Sequence, residues 1–300
     1  MPPRRAALSL SWCGATTPFP IPHPPIPIPP PMITLDDILE RKRLWVAECR
    51  GRLPLADVRD RCRDCPPCRP FAAALRRPSG GAIRFIAEFK RCSPSRGDIR
   101  PGARPAEIAR IYHRGGATAI SVLTDQPFFK GELAHLQAVR EAVPLPVLRK
   151  DFLLDPYQVY EARAHGADAV LLIAEALEGG LLRELHDLAH GLGMETLVEI
   201  HGEGSVAKVE GLTVVGINHR DLQTMHIDMA TSERLLAGGL RARLAPAAVV
   251  VGESGVATRE EVAAMTALDL DALLVGSSLM AAPDIAAQIA ALFPGAGPGR

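Results

Sequence analysis

Residues 86–97 read IAEFKRCSPSRG and place charges where a buried strand would be apolar, followed by a loop of serine, proline and glycine. Alternate side chains of a strand share a face, so Ile86, Glu88 and Lys90 are expected on one face and Phe89 on the other. An exposed ion pair beyond the strand is the simpler explanation of Glu-x-Lys alone. The polar loop that follows favours a different explanation, in which the strand end and the loop together bind a polar ligand.

The same unit repeats from residue 83 onward: a short apolar run, a polar loop and an amphipathic helix. The predicted strands are 83–90, 118–123, 146–150, 169–174, 195–200, 213–218, 247–252 and 271–275. The predicted helices are 105–114, 132–142, 156–165, 179–190, 203–209, 229–237, 258–266 and 283–292. Such alternation predicts an α/β fold, a single (β/α)8 TIM barrel over residues 83–300. A doubly wound open sheet is the alternative, but it usually carries a glycine-rich turn after its first strand, which this sequence lacks.

Two segments precede the predicted barrel. Residues 1–31 contain PFPIPHPPIPIPPP, which has few backbone donors and too little apolar bulk for a core, so we expect a disordered, dispensable tail and a functional start at Met32. Residues 32–82 are expected to form a helical extension whose first helix has Thr34 as its N-cap. The apolar face of that helix is predicted at Leu35, Ile38, Leu39 and Trp45. A charged connector with a short helix at 70–75 completes the extension.

Composition narrows the possible partners. The 300-residue chain has 34 basic and 34 acidic residues without a basic cluster, which argues against nucleic acid. No apolar run approaches the roughly 20 residues of a membrane span. Cys62, Cys65 and Cys68 have a C-x2-C-x2-C spacing found in metal sites, but a fourth ligand with matching spacing is missing. We therefore expect reduced thiols in a cytoplasmic protein that holds no metal and no cofactor.

Polar side chains stand at the carboxyl ends of several predicted strands. Glu88 and Lys90 end the first strand, Lys150 the third, Glu199 the fifth and Asn218 the sixth. In a (β/α)8 barrel the chemistry lies at these strand ends. Any one of these residues is explained as a solvated strand cap, but several independent caps are less expected than one site. The sequence therefore predicts a single site at this end of the barrel.

The loops after the last two strands contain small residues and hydroxyls. Ser254 and Gly255 follow the seventh strand, and Gly276 and Ser277 follow the eighth. Small residues allow backbone N–H groups to approach an anion, and these two loops form the usual phosphate site of this architecture. Ordinary strand-to-helix turns are the alternative explanation. The pairing of the loops at neighbouring strand ends favours phosphate.

These motifs resemble those of the indole-3-glycerol phosphate synthase family of tryptophan biosynthesis. The resemblance rests on IAEFKRCSPSRG, SVLTDQPFFKG, LRKDFLLDPYQVYEARAHGADAVLLI, LVEIHGEG, GINHRDL, VGESGV and LLVGSSLM, and extends from about residue 32 to 292. It implies the substrate 1-(2-carboxyphenylamino)-1-deoxyribulose 5-phosphate, a phosphosugar joined to anthranilate. The implied reaction closes the ring with loss of carbon dioxide and water. A monomer is expected.

The resemblance also implies a role for each charged strand end. Lys150 is expected to protonate the ketose oxygen, and Glu199 to act as the base of the dehydration. Lys90 is a second acid or a salt partner of substrate anions. Glu88 is expected to orient a lysine and tune its pKa, and Asn218 to hydrogen-bond a ribulose hydroxyl.

The remaining predicted residues belong to the anthranilate end of the substrate. Serine donors and a guanidinium suit its carboxylate, and apolar side chains suit its ring. The predicted set is Ser93, Pro94, Ser95, Phe129, Phe152, Leu171, Arg220 and Leu222. Four features depart from the family pattern: a short segment between Glu199 and Asn218, Cys92, His219 and the segment before Met32.

Two other functions compete with this one. Another phosphosugar enzyme of the same fold, such as the isomerase of the preceding pathway step, explains the phosphate loops but not two lysines, two carboxylates and the SPS loop together. A scaffold protein that presents the proline-rich tail and binds metal through the cysteines is the non-enzymatic alternative. That alternative requires nearly stoichiometric metal in the purified protein.

Overall fold

Eight parallel strands pair side by side until the eighth meets the first. The computed structural model describes residues 34–297, and the barrel lies within them. The strands are β1 (Arg84–Phe89), β2 (Ala119–Leu123), β3 (Val147–Lys150), β4 (Ala169–Ile173), β5 (Glu195–Ile200), β6 (Val214–Asn218), β7 (Val249–Glu253) and β8 (Ala272–Val275). Closure places Ile86 opposite both Leu274 of β8 and Ala119 of β2. The predicted (β/α)8 barrel is confirmed, and the predicted tail at residues 1–31 lies outside the described residues.

Helices surround the barrel and precede it. They are α1 (Leu35–Arg52), α2 (Leu55–Arg63), α3 (Phe71–Leu75), α4 (Pro105–Arg114), α5 (Gln126–Phe129), α6 (Leu133–Ala142), α7 (Pro156–Ala164), α8 (Gly179–Gly191), α9 (Thr231–Ala237), α10 (Leu240–Arg243), α11 (Arg259–Ala267), α12 (Ser277–Ala281) and α13 (Ile285–Leu292). None of those within residues 34–297 is long and apolar enough to cross a membrane. Two short antiparallel strands, Cys92–Ser93 and Gly97–Asp98, form a hairpin after β1.

The side chains of each strand alternate between the barrel interior and the helix layer. Ile86 packs inside with Leu148 and Leu197, whereas Phe85 and Phe89 pack in the outer core against the helices. The predicted alternation at the end of β1 is therefore confirmed. Because the inward positions recur every second residue, the last inward residue of a strand projects into the barrel mouth.

Five segments differ from the sequence prediction. Residues 203–209 form a 3-10 helix rather than an α-helix, because Gly202 and Gly204 disfavour an α-helical first turn in a short connection. The charged connector contains α2, which was missed because Val58 is its only buried residue. The short helices α5, α10 and α12 were also missed, since four or five residues carry too little periodicity.

The N-terminal extension contacts both ends of the barrel. Thr34 and Asp37 form the capping box of α1, as expected for an N-cap, and α1 lies over the carboxyl ends of the strands. At the opposite end, the backbone N–H of Ala72 in α3 donates to the side chain of Glu195, the first residue of β5. On α1, Trp45 is only half-buried, whereas the charged Lys42 is buried.

Lys42 ties α1 to two loops of the barrel mouth. Its Nζ lies 2.5 Å from Oδ2 of Asp125 and 2.7 Å from Oδ1 of Asp151, and all three side chains are nearly inaccessible. Asp125 follows β2, and Asp151 follows Lys150 directly. The ion cluster therefore fixes the first helix against the loops that follow β2 and β3.

We expect Lys42→Met to lower the free energy of unfolding by about 3–5 kcal/mol, because it removes the counter-charge of the buried Asp125 and leaves Asp151 paired with Arg149 alone. Thermal and urea unfolding measure the loss. Arg43→Met, at an exposed neighbouring position of the same helix, is the matched control and is expected to change stability by less than about 0.5 kcal/mol. Equal stability of the two variants would contradict the assignment.

The cysteine triplet lies along the C-terminal end of α7. The thiols of Cys62, Cys65 and Cys68 donate to the backbone carbonyls of Tyr160, Arg163 and Ala167, respectively. Burial raises the pKa of the Cys62 and Cys68 thiols, which keeps them protonated. No group of three or more His, Cys, Asp or Glu within residues 34–297 is arranged to hold a metal ion. The triplet thus connects the extension to the barrel by hydrogen bonds.

Candidate active site

A cleft of about 250 Å³ opens at the carboxyl ends of the strands. Most of the residues predicted for the site line it. These are Glu88, Lys90, Phe129, Lys150, Phe152, Leu171, Glu199, Asn218, Arg220, Leu222, Ser254, Gly255, Gly276 and Ser277. Ser93, Pro94 and Ser95 line a smaller adjoining cavity of about 90 Å³ instead. The structure thus gathers residues from most of the chain into one region.

Lys150 lies at the centre of the charges in the cleft. Its Nζ is 3.2 Å from Oε2 of Glu199 and 3.3 Å from Oε2 of Glu253. Burial alone would lower the pKa of Lys150, but Glu199, Glu253 and Glu88 outweigh it and raise the pKa above its ordinary value. Lys150 is therefore fully protonated at neutral pH. Because the higher pKa also makes the ammonium a weaker acid, the driving force for proton transfer to the substrate is smaller.

Glu199 is held as a carboxylate. Asn218 Nδ2 donates to its Oε1 at 2.9 Å, and Lys150 contacts its Oε2. Burial would raise the pKa of Glu199, but Lys150, His201 and Asn218 outweigh it and hold the pKa well below its usual range. The backbone N–H of Arg220 donates to Asn218 Oδ1 at 3.0 Å, so both ends of the amide are oriented by the protein. Glu199 can therefore accept a proton from a bound substrate.

Glu253, the last residue of β7, was given no role by the sequence prediction. Burial and the negative charge of Glu199 raise its pKa to about 8, against the opposing effect of Lys150. Its Oε1 lacks a hydrogen-bond partner among residues 34–297. A Cβ at Gly216 would lie 2.1 Å from this oxygen, so glycine at that position makes room for the carboxyl group. The sequence did contain a signal for Glu253, because strand alternation places residue 253 on the same face of β7 as Val251, which lies inside the barrel.

Glu88 and Lys90 form an ion pair on the other side of the cleft. Lys90 Nζ lies 2.6 Å from Glu88 Oε1, and both side chains are largely buried. A Cβ at Gly276 would lie 2.2 Å from the same oxygen. Glycine at position 276 is therefore required for the observed position of the Glu88 side chain. This requirement is separate from the predicted role of Gly276 in binding phosphate. Glu88 also acts on Lys150, whose pKa it helps to raise.

Apolar side chains form the wall opposite the charges. The rings of Phe129 and Phe152 lie 6.3 Å apart between centroids, and Leu171 is buried in the barrel interior below them. Leu35 and Ile38 of α1 line the adjoining cavity together with the SPS loop. The helix that precedes the barrel thus completes this side of the mouth.

Two guanidinium groups lie near the SPS loop. Burial lowers the pKa of Arg220, and the positive charge of Arg96 lowers it further. Arg96 lines the main cleft, although the sequence prediction assigned it no role. Ser93 and Ser95 are close enough for a weak hydroxyl contact, with 3.5 Å between their oxygens. Hydroxyls and two cations around one opening suit an anionic group.

The glycine-rich loops meet at the rim of the cleft. Ser254 and Gly255 both have a left-handed backbone, with φ of 66° and 87°, and Gly276 directly precedes α12. His219 fixes the first of these loops, since its Nδ1 lies 2.9 Å from the carbonyl oxygen of Ser254. The first N–H groups of α12 lack partners within the helix. Both loops therefore offer backbone donors to the cleft.

The fold and the cleft define a class of protein, a (β/α)8-barrel enzyme with acid–base groups at its carboxyl-terminal strand ends. The family model described as indole-3-glycerol phosphate synthase matches residues 35–292. The chain belongs to the indole-3-glycerol phosphate synthase family.

Similar proteins agree with this assignment. The chain is 46% identical over 264 residues to an indole-3-glycerol phosphate synthase of Rhodospirillum rubrum, covering 86% of this chain and 98% of the relative. It is 47% identical over 262 residues to one of Aromatoleum aromaticum, with the same coverages, 86% and 98%. A tryptophan synthase complex from Pyrococcus furiosus shares the fold alone, with 16% identity and a TM-score of 0.51 over 70% of this chain and 97% of that chain.

Proposed function

We propose that this chain is an indole-3-glycerol phosphate synthase in which Lys150 and Glu199 carry out the proton transfers. It is a carboxy-lyase of tryptophan biosynthesis. Its reaction converts 1-(2-carboxyphenylamino)-1-deoxyribulose 5-phosphate to indole-3-glycerol phosphate, carbon dioxide and water. The observation that carries the assignment of roles is the position of Lys150, a buried ammonium between the buried side chains of Glu199 and Glu253 beside an apolar wall.

The first half of the reaction requires an acid. Lys150 gives a proton to the ketose oxygen, which makes the ketose carbon electrophilic. The ring carbon that bears the carboxylate then forms a bond to it, and the bond to the carboxylate breaks with release of carbon dioxide. Phe129 and Phe152 hold the ring against this carbon and exclude water.

The second half of the reaction requires an acid and a base. The hydroxyl formed in the first half leaves as water with a proton, and Glu199 removes the proton that allows the double bond to form. Lys90 supplies the proton of the leaving water or neutralises a substrate anion, and Glu88 holds Lys90 at 2.6 Å. Asn218 hydrogen-bonds a ribulose hydroxyl next to Glu199.

The two ends of the substrate occupy opposite parts of the mouth in this proposal. Ser93, Pro94, Ser95, Arg220 and Leu222 surround the anthranilate carboxylate, because hydroxyl donors and a guanidinium lie at the smaller cavity. Ser254, Gly255, Gly276 and Ser277 hold the phosphate through backbone N–H groups and hydroxyls. No cofactor takes part in this scheme.

We expect inorganic phosphate at about 20 mM to raise the melting temperature by a few degrees, since an anion that binds only the folded state stabilises it. Ser277→Asp should abolish the shift, because its charge repels the anion while the backbone is kept. Ser79→Asp, an exposed position in the segment before β1, is the control and should keep the shift. A shift that persists in Ser277→Asp would place the anion elsewhere. Gly276 is unsuitable for this test because a side chain there displaces Glu88.

The activity is tested by incubating the purified protein with the carboxyphenylamino substrate and following indole fluorescence. A rise in fluorescence with release of one carbon dioxide per product is expected. Absence of product would contradict the proposed function. We also propose a cytoplasmic location, because the five cysteines in the described part of the chain are unpaired, as suits a reducing compartment. A monomer is proposed as well, and the molar mass in solution tests it.

A further inference from the structure

A histidine and a second carboxylate lie behind Glu199. His201 is two residues after Glu199 at the end of β5, and Glu175 lies in the turn after β4. Glu175 accepts the backbone N–H of His201 through Oε1 and contacts the ring Nδ1 through Oε2, both at 2.8 Å. The ring Nε2 lies 3.2 Å from Glu199 Oε1. The imidazole is thus enclosed between two carboxylates.

The contact between His201 and Glu199 is an ion pair. Nε2 has no hydrogen-bond partner of good geometry within residues 34–297, although Glu199 Oε1 lies 3.2 Å from it. Burial would lower the pKa of His201, but Glu175 and Glu199 outweigh it and raise the pKa to about 10. The ring is therefore an imidazolium at neutral pH. Asp221, after β6, is a further charged group near the ring, and His201 lowers the pKa of Asp221.

Neither His201 nor Glu175 lines the cleft, so neither is placed to touch the substrate. Their turn is supported from outside, because Lys208 Nζ donates to the carbonyls of Ala174 and Leu177 at 2.7 and 2.8 Å. Support of this kind is expected where a neighbouring side chain has to keep one orientation.

We propose that His201 is a positioning residue for Glu199, held in place by Glu175. His201 and Asn218 both act on Oε1 of Glu199, which turns Oε2 toward Lys150 and the substrate. The inference rests on the proposed role of Glu199 as base. It adds to that role a pair of residues that fix the orientation and the charge of the carboxylate.

The experiment compares His201→Gln and Glu175→Gln with the wild-type protein and with His190→Gln, an exposed histidine on α8. His201→Gln should lower kcat by about 10- to 100-fold, because a small misplacement of a reacting group has effects of this size. KM should change by less than about twofold, since substrate contacts are kept. His190→Gln should behave as the wild type.

Glu175→Gln tests the positioning role through the pH dependence of kcat, which a purely structural role of His201 would leave unchanged. Without this carboxylate the pKa of His201 falls, so the imidazolium is lost as the pH rises. The ratio of kcat in Glu175→Gln to that of the wild type should therefore fall above about pH 7, near the ordinary pKa of histidine. NMR of the ring nitrogens should show His201 doubly protonated at pH 8 in the wild type and not in Glu175→Gln.

The outcomes separate this inference from the proposed function. If Glu199→Gln is inactive but His201→Gln has wild-type kcat, or if His201 is neutral at pH 7, the inference is overturned while the base remains. If Glu199→Gln is fully active, the role of Glu199 itself is wrong. A fall in kcat with a changed pH profile supports the positioning role.

Discussion

Lys150→Met is expected to lower kcat about 10²- to 10⁴-fold, the range typical for loss of a general acid. Lys150 is the ammonium that contacts both Glu199 and Glu253, and methionine keeps its length without its proton. Without the acid, the ketose carbon is not activated and the ring does not close. Indole fluorescence and carbon dioxide release should therefore both be lost.

The control for this variant is Lys130→Met. Lys130 is exposed and pairs with Asp98 outside the main cleft, so its loss should change kcat little and stability by at most about 1 kcal/mol. If methionine impairs folding, Lys150→Gln provides a second variant, because the glutamine amide can still donate hydrogen bonds to the side chains of Glu199 and Glu253. Circular dichroism establishes that each variant is folded. Wild-type turnover in a folded Lys150→Met protein would exclude Lys150 from the mechanism.

Glu199→Gln is expected to lower the rate of indole formation about 10²- to 10⁴-fold as well, but at a later step. The amide keeps the shape of the side chain and cannot take up a proton. Since ring closure and loss of carbon dioxide precede the dehydration, a single turnover should still release carbon dioxide while fluorescence does not rise. Measuring the two products separately distinguishes this variant from Lys150→Met.

Glu184→Gln, at an exposed position of α8, is the matched control for the same substitution and should behave as the wild type. Equal loss of carbon dioxide and of indole in Glu199→Gln would indicate that Glu199 acts before decarboxylation. Full activity would remove Glu199 from the reaction. The results therefore distinguish a role before decarboxylation, a role after it and no role in the reaction.

Strand periodicity in the sequence was enough to predict the barrel and which side chains project into its mouth. Strand periodicity placed Ile86 and Glu88 on the same face, and the structure confirms that this face is the interior. The same alternation, applied to VLRK and TLVE, predicted that Lys150 and Glu199 project into one mouth. These inferences hold because side-chain direction in a strand is a local property that two neighbouring residues define.

The tertiary structure alone decided which groups meet and which of them stay charged. Lys42 contacts Asp125, Glu175 contacts His201, and Lys150 contacts Glu253 only because barrel closure and the first helix bring distant segments together. The charge of a buried group depends on its partners at a few ångströms, as the opposite pKa shifts of Glu199 and Glu253 beside one lysine show. Chain order does not specify those distances, because they are set by how the segments pack.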